Sequence, residues 1–296
     1  MLFSGNGLAI SAFVVWGLMP LYFQYIPNVD IMEMMAVRIL VSIPLVYVLL
    51  KAFSIPTSRV WRAMKDKRTV FLCFMAALVN FISLFAFAWA ATSGQVLAAS
   101  LGYFINPIFS IVLGVLFLKD RLSPFQAIAV ALSVAGIGCQ VVYYGELPWL
   151  SLVMGGAFAL YGLIKKYLTL DAMSSMMIEM ITMVPFAVVI LLGHLWSETS
   201  VFNSGDSTTM LFYLFAAPVT LLPLVLFSVA VTKTSLVMIG FIQYIEPTLQ
   251  FLLAVVVFGE PLLEIKIISF SLIWIGLLLC IMDITLSRRI HKVVSN

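Results

Sequence analysis

Three ionisable side chains, Arg38, Glu179 and Glu246, stand within long apolar stretches of the sequence. Charged groups are costly in hydrocarbon, and where they occur there they mark substrate paths, proton relays or internal pairs. Arg38 can offer a planar fork of donors to an anionic group of a ligand. An ion pair between Arg38 and Glu179 is a second interpretation, and local bonds to backbone or neighbouring side chains are a third.

Glu246 has three interpretations of its own. It is predicted to lie near the centre of its apolar stretch, where acidic residues serve as proton carriers in pumps and transporters. It could equally be a ligand for a substrate, or a protonated side chain bonded to a neighbour. Proton coupling is therefore one alternative that the sequence leaves open.

Two prolines, Pro107 and Pro247, interrupt apolar stretches and are predicted to be hinges or kinks. A proline removes one backbone donor and frees the carbonyl four residues earlier. A kink that serves packing alone is the alternative to a binding role. The polar side chains around the two prolines predict a cavity with substrate-binding residues, which are Tyr103, Asn106, Gln243, Tyr244 and Glu246.

Four further residues complete the candidate substrate-binding set: Trp16, Asn80, Trp89 and Tyr161. Aromatic rings can stack on an aromatic or amphipathic ligand, but in membrane bundles they also serve as packing and interface anchors. Both interpretations remain open for these rings.

Several classes of chemistry lack their motifs in the sequence. There is no Gly-rich phosphate loop ending in Gly-Lys-Ser/Thr, no His-Glu-x-x-His pair and no Gly-x-Ser-x-Gly elbow. Three cysteines, Cys73, Cys139 and Cys280, have neither disulfide nor metal-ligand spacing. We therefore expect no enzyme activity, no cofactor, no metal and no nucleic-acid partner.

The elements that position these residues are predicted from hydropathy. The chain has 296 residues, of which 63% are hydrophobic and 10% charged, and a mean hydropathy of +1.15. Crossing a bilayer takes about 20 apolar residues. The sequence predicts an all-α integral membrane protein of ten transmembrane helices, at 7–25, 31–50, 70–91, 96–118, 124–143, 148–165, 174–193, 210–231, 236–258 and 264–284.

The basic residues are distributed unevenly over the predicted loops. Of sixteen Lys and Arg residues, fourteen fall in the even-numbered loops and the C-terminal tail, including Lys165 and Lys166 in the sixth loop. Cytoplasmic loops carry the excess of Lys and Arg. Both termini are therefore predicted to be cytoplasmic, which requires an even number of helices.

The two halves of the chain resemble each other at an offset of about 140 residues. The halves are 1–146 and 147–296, and within one membrane domain each is predicted to hold five helices. The aligned residues include Gly17 with Gly162, Asp30 with Asp171, Pro44 with Pro185, Pro107 with Pro247 and Gly136 with Gly276. Because five is odd, the second copy begins on the opposite side of the membrane. This predicts an inverted repeat, a design typical of secondary transporters.

Two stretches resemble the RarD branch of the EamA-type drug/metabolite transporter (DMT) superfamily. They are Ser100–Pro107, which reads SLGYFINP, and Gly240–Val255, which reads GFIQYIEPTLQFLLAV. The resemblance covers nearly the whole chain in length and helix number. It implies a ten-helix inverted-repeat carrier of small organic solutes in a bacterial inner membrane. The chloramphenicol sensitivity for which the branch is named implies contact with amphipathic aromatic compounds.

The leading functional prediction is a secondary active transporter working by alternating access in the bacterial inner membrane. Its substrate is expected to be a small organic metabolite or an amphipathic drug, with amino acids and aromatic compounds among the candidates. The alternatives are a lipid flippase or another intramembrane enzyme, and a sensor or scaffold. The sequence leaves the direction of transport, the coupling ion and the oligomeric state open.

Overall fold

In the computed structural model, backbone is described for residues 4–23, 30–92, 96–145, 149–194, 196, 200–204, 206–257, 259 and 263–294. Side chains are described over the same ranges except at 23, 88, 90–92, 96–102, 204, 254 and 283–294. Within these ranges the chain forms α-helices and no strands. The helices are α1 (Gly5–Phe23), α2 (Ile31–Ala52), α3 (Thr57–Ala63), α4 (Lys67–Thr92), α5 (Val96–Leu118), α6 (Pro124–Tyr144), α7 (Trp149–Tyr167), α8 (Ala172–His194), α9 (Val201–Ser204), α10 (Ser207–Lys233), α11 (Leu236–Gln243), α12 (Ile245–Val256) and α13 (Glu264–Val294).

The all-α prediction is confirmed, and within the described residues each predicted span falls almost entirely on helix. Two short helices, α3 and α9, lie where the sequence predicted loops. The ninth span is divided into α11 and α12 at Tyr244, three residues before Pro247. Its counterpart α5 runs without interruption through Pro107. The two prolines therefore have different local effects.

Eight stretches of the described chain are long and apolar enough to cross a bilayer. They lie in α1, α2, α4, α6, α8, α10, α11 with α12, and α13. In α5 the corresponding apolar stretch is shorter, Tyr103–Leu118. The chain therefore has the character of an integral membrane protein, while the number of ten spans remains a prediction.

Helix ends meet at two opposite ends of the bundle. At one end the Thr234 hydroxyl donates to Asn6 Oδ1 at 2.6 Å, and Lys166 Nζ donates to the Thr234 carbonyl at 2.5 Å. Two residues after Thr234, the Leu236 N–H donates to the Asp120 carboxylate at 3.0 Å. We call this the basic end, because it carries most of the cationic side chains, among them Lys51, Arg59, Arg62, Lys65, Lys67, Arg68, Lys119, Arg121, Lys166 and Lys233.

The opposite end joins α2 to α8, α9 and α10. The Asp30 N–H donates to the Tyr213 hydroxyl at 3.0 Å, and the Glu33 carboxylate accepts from the Val201 N–H at 3.1 Å. Glu33 is fully buried although its side chain is ionisable. We call this the His194 end, after the residue that terminates α8 there.

The aligned aspartates of the two halves have the same structural role. Asp30 and Asp171 each precede a helix and accept from the N–H three residues later, at 3.0 and 2.9 Å. Such caps satisfy donors that a helix start leaves unpaired. The second oxygen of Asp30 lies 3.3 Å from His194 Nε2, and that of Asp171 lies 3.4 Å from an Arg59 guanidinium nitrogen. Each cap therefore also connects the two halves of the chain. Asp30 of the first half contacts His194 of α8 in the second half, and Asp171 of the second half contacts Arg59 of α3 in the first half.

The largest apolar core lies towards the basic end. It includes the first half of α1, the end of α2, the start of α4, the end of α7, the start of α8 and the end of α10. Fully buried Phe13, Leu50, Cys73, Tyr161 and Leu236 belong to it. The buried helix segments of this core are therefore closely packed towards the basic end.

The crossing of α5 and α11 depends on a glycine. A methyl group added at Gly240 would come within 2.5 Å of Ile111 Cγ1 and 2.8 Å of the Pro107 carbonyl oxygen. We expect Gly240→Ala to lower the free energy of unfolding by about 1–3 kcal/mol, because the core must be displaced. A matched control is Gly138→Ala in α6, where nothing lies within 4 Å of the added methyl. Thermal unfolding in detergent should separate the two variants; equal midpoints would contradict the tight crossing.

Candidate functional site: a polar cavity within the bundle

A cavity of about 90 Å³ lies between the middle of the bundle and the His194 end. The second half of α1 and the first halves of α2, α5 and α7 contribute to its wall, together with α4, α10 and α12. Six of the predicted substrate-binding residues line it: Trp16, Arg38, Asn80, Tyr103, Asn106 and Glu246. The predicted cavity around the first proline is therefore present.

Arg38 contributes a positive charge to the cavity wall. Only 7% of the residue is exposed, and its Nε has no hydrogen-bond partner in the described part of the chain. No ion pair there includes it. A buried polar group without a partner carries a desolvation cost that a bound ligand can remove. Arg38 therefore has a buried donor for which the described part of the chain supplies no acceptor.

Glu246 and Asn106 contribute acceptors to the same wall. Glu246 is 7% exposed, and one of its oxygens accepts a long bond of 3.4 Å from Gln250 Nε2. Asn106, one residue before Pro107, is 8% exposed, and its Oδ1 has no partner in the described chain. These acceptors fit a ligand that presents hydrogen-bond donors.

Aromatic rings form part of the apolar wall. The ring of Trp16 lies 5.3 Å from that of Phe158, at nearly a right angle. The ring of Phe87 lies 5.3 Å from that of Tyr103. Edge-to-face arrangements of this kind hold rings in place and leave apolar surface for a ligand.

Five predicted site residues are not among those that line the cavity. Trp89 is 38% exposed and its ring lies 6.3 Å from that of Trp149, which fits the alternative of an interface anchor. Gln243 and Tyr244 are buried at the junction of α11 and α12. Tyr161 of α7 and Glu179 of α8 are fully buried.

Glu179 is paired with a lysine that the sequence had placed in a loop. Lys165 lies inside α7, is 2% exposed, and its Nζ is 2.5 Å from both Glu179 Oε1 and Ser175 Oγ. The Tyr161 hydroxyl donates to the other Glu179 oxygen at 3.3 Å. The assignment of Lys165 to the sixth loop was wrong, because its ion pair with Glu179 allows this lysine to lie buried within α7. An Arg38–Glu179 pair is not among the contacts of the described chain.

Eleven lining residues escaped the sequence analysis, among them Ser83, Phe87, Phe158, Thr220 and Gln250. Helical spacing could have found some of them. Ser83 and Phe87 follow Asn80 by three and seven residues, and Gln250 follows Glu246 by four, so each pair shares a helix face. Nothing in the sequence distinguished Thr220 and Phe158 from other apolar-helix residues.

The cavity therefore combines a cation, a carboxylate, a free amide oxygen and aromatic rings. Such a wall can bind a small amphipathic molecule that carries both an anionic and a donor group. No cluster of His, Cys, Asp or Glu suitable for a metal ion occurs among the residues with described positions.

Comparisons with known proteins agree with this geometry. The profile of the EamA-like transporter family matches residues 3–141. The chain is 36% identical to Protein RarD of Salmonella typhimurium over 286 residues, covering 95% of this chain and 96% of that protein. It is 36% identical to an uncharacterized transporter of Pseudomonas aeruginosa, covering 96% and 95%. It is 29% identical to the chloramphenicol-sensitive protein RarD of Pseudomonas aeruginosa, covering 93% of each.

A solved crystal structure has the same fold. It superposes with a TM-score of 0.70 at 16% sequence identity, covering 93% of this chain and 96% of the other. At that identity the likeness concerns the fold alone.

Proposed function

Since the chain belongs to the EamA-like transporter family, we propose that it is a secondary active transporter of the bacterial inner membrane. It moves a small organic metabolite or an amphipathic drug by alternating access. The observation that carries the proposal is the cavity at Arg38 and Glu246, which lies within the bundle and is closed towards the basic end by the largest apolar core.

An inverted pair of five-helix units is supported by the packing of the helices. α1 packs against α10 and α12, whereas α7 packs against α4 and α5. In the proposed repeat, α1 corresponds to α7, α4 to α10, and α5 to α11 with α12. Exchanging the halves therefore converts the first set of neighbours into the second. Under this proposal α5 and α7 also cross the membrane, which makes ten spans.

The basic end is proposed to face the cytoplasm. Cationic loops remain on the cytoplasmic side of bacterial inner membranes. With this orientation both termini are cytoplasmic, and the cavity at Arg38 lies nearer the periplasmic side.

The proposed substrate is amphipathic, with an anionic group for Arg38 and a donor for Glu246 or Asn106. An amino acid with an apolar or aromatic side chain satisfies both requirements, and the rings of Trp16 and Phe158 provide a surface for that side chain. Aromatic drugs that carry polar groups share part of this chemistry.

Purified protein in proteoliposomes tests the function. We expect uptake of at least one labelled amino acid or aromatic drug above protein-free vesicles, with saturation and competition by unlabelled compound. An imposed pH gradient, with and without ionophore, tests proton coupling separately. Absence of uptake across the panel, combined with rapid movement of fluorescent phospholipids between leaflets, would replace the carrier by a flippase.

A further inference from the structure

Equivalent positions of the two halves lie in opposite environments. Trp16, Pro20 and Arg38 of the first half line the cavity. At the offsets of the proposed repeat they correspond to Tyr161, Lys165 and Glu179. These second-half residues are all at most 2% exposed and lie in the closely packed half of the bundle, so the same three positions are open in one half and closed in the other.

The closed group holds together through its own charges. Lys165 Nζ lies 2.5 Å from Glu179 Oε1 and 5.7 Å from the centre of the Tyr161 ring. The Tyr161 hydroxyl is also 3.1 Å from Ser228 Oγ of α10. The group therefore connects α7, α8 and α10 at the basic end.

A charged group of this kind is unusual as mere packing. A buried ion pair is often no more stabilising than apolar side chains of similar volume, because both charges lose their hydration. A chamber that opens towards the basic end would hydrate both charges. When the halves exchange roles, Trp16, Pro20 and Arg38 would take the closed environment that the second-half group has in this structure. Opening at this end therefore gives a physical reason for polar groups at these positions.

We propose that Tyr161, Lys165 and Glu179 line the substrate chamber when it opens at the basic end, and that the Lys165–Glu179 pair holds that end shut in the state seen here. The proposal rests on the alternating access proposed above. In the open form Lys165 takes the anionic group of the substrate and Glu179 its ammonium or other donor. The substrate then meets one cation and one carboxylate on either side of the membrane.

Cys73 provides a reporter within the chain. It is fully buried in α4 and belongs to the same apolar core as Tyr161. With Cys139 and Cys280 changed to serine, it is the single remaining thiol of the three in the sequence. Labelling by a membrane-impermeant maleimide then measures the access of water to the basic end. Ser58→Cys in α3 identifies the vesicle face on which that end lies.

Removing either member of the Lys165–Glu179 pair leaves the other buried without its partner. This favours the open form, in which water can hydrate the remaining group. In the single-cysteine protein we expect Glu179→Gln and Lys165→Met each to raise the rate of Cys73 labelling from the basic end at least about tenfold. The charge exchange Lys165→Glu with Glu179→Lys should return the rate towards that of the parent. Labelling from the other face should stay unchanged.

Glu33→Gln is the matched control. Glu33 is also fully buried and also lies in the first half of its helix, but it bonds to α9 at the His194 end. We expect it to leave Cys73 labelling unchanged. Unaltered labelling in Glu179→Gln and Lys165→Met, or equal increases in all three variants, would overturn the proposal in favour of a structural pair or of general loosening.

Failure of this proposal differs from failure of the proposed function. The labelling assay needs no substrate, whereas the function is judged by uptake. If the parent takes up substrate but Cys73 labelling does not change in the variants, only the proposed role of the Lys165–Glu179 pair is wrong. If Cys73 labelling responds to the variants but no compound is taken up, the bundle opens at the basic end and the proposed transport function is wrong.

Discussion

Replacing Arg38 with glutamine is expected to lower the initial rate of uptake of carboxylate-bearing substrates by about 100-fold or more. Arg38 is the cation of the cavity wall, and its Nε has no partner in the described chain. The substrate is therefore expected to supply the missing acceptor. Initial uptake rates in proteoliposomes, at equal amounts of reconstituted protein, measure the effect.

Two further variants show whether the charge or the shape of Arg38 matters. Arg38→Lys keeps the charge but loses the planar fork, so it should recover only part of the rate. Arg62→Gln removes an exposed arginine of α3 and should leave uptake unchanged.

Stability separates a binding role of Arg38 from a structural one. A buried cation costs free energy, and Arg38 has no ion-pair partner in the described chain, so Arg38→Gln should unfold at the same temperature as the parent or higher. A marked loss of thermal stability, with uptake falling in proportion to folded protein, would mean that Arg38 supports the fold and does not bind substrate.

Replacing Glu246 with glutamine is expected to produce the second largest effect, a loss of about tenfold to 100-fold in uptake of ammonium-bearing substrates. The side chain lines the cavity, and its contact with Gln250 is long at 3.4 Å, which leaves the carboxylate available to a donor. N-acylated analogues, which carry no ammonium group, should be taken up at nearly the parent rate.

The same variant tests the proton role of Glu246. If this carboxylate carries the coupled proton, the variant will lose stimulation by an imposed pH gradient for every substrate. If it retains full pH-dependent uptake, the proton role is excluded. Glu264→Gln, at the exposed start of α13, serves as the control and should change neither property. An equal loss for ammonium-bearing and N-acylated compounds, with intact pH dependence, would contradict a contact with the ammonium group.

Much of the architecture could be predicted from the sequence. Hydrocarbon offers backbone amides no hydrogen-bond partner outside their own helix, so long apolar runs predict helices. The ends of the predicted helices differ from the structure by a few residues in most cases. The family was also predicted correctly from the stretches around Pro107 and Pro247. The aligned Asp30 and Asp171 proved to be equivalent helix caps, since a cap depends on residues close in the sequence.

Residue type and depth along a helix determined by themselves that Arg38, Asn106 and Glu246 belong to a polar interior. Only the tertiary structure decided which polar residues share a chamber. Arg38 and Glu179 have equivalent positions in the proposed repeat, yet one lines the cavity and the other pairs with Lys165. The physical reason is that pairing depends on which helix faces pack together at each end of the bundle, and those contacts join residues far apart in the chain.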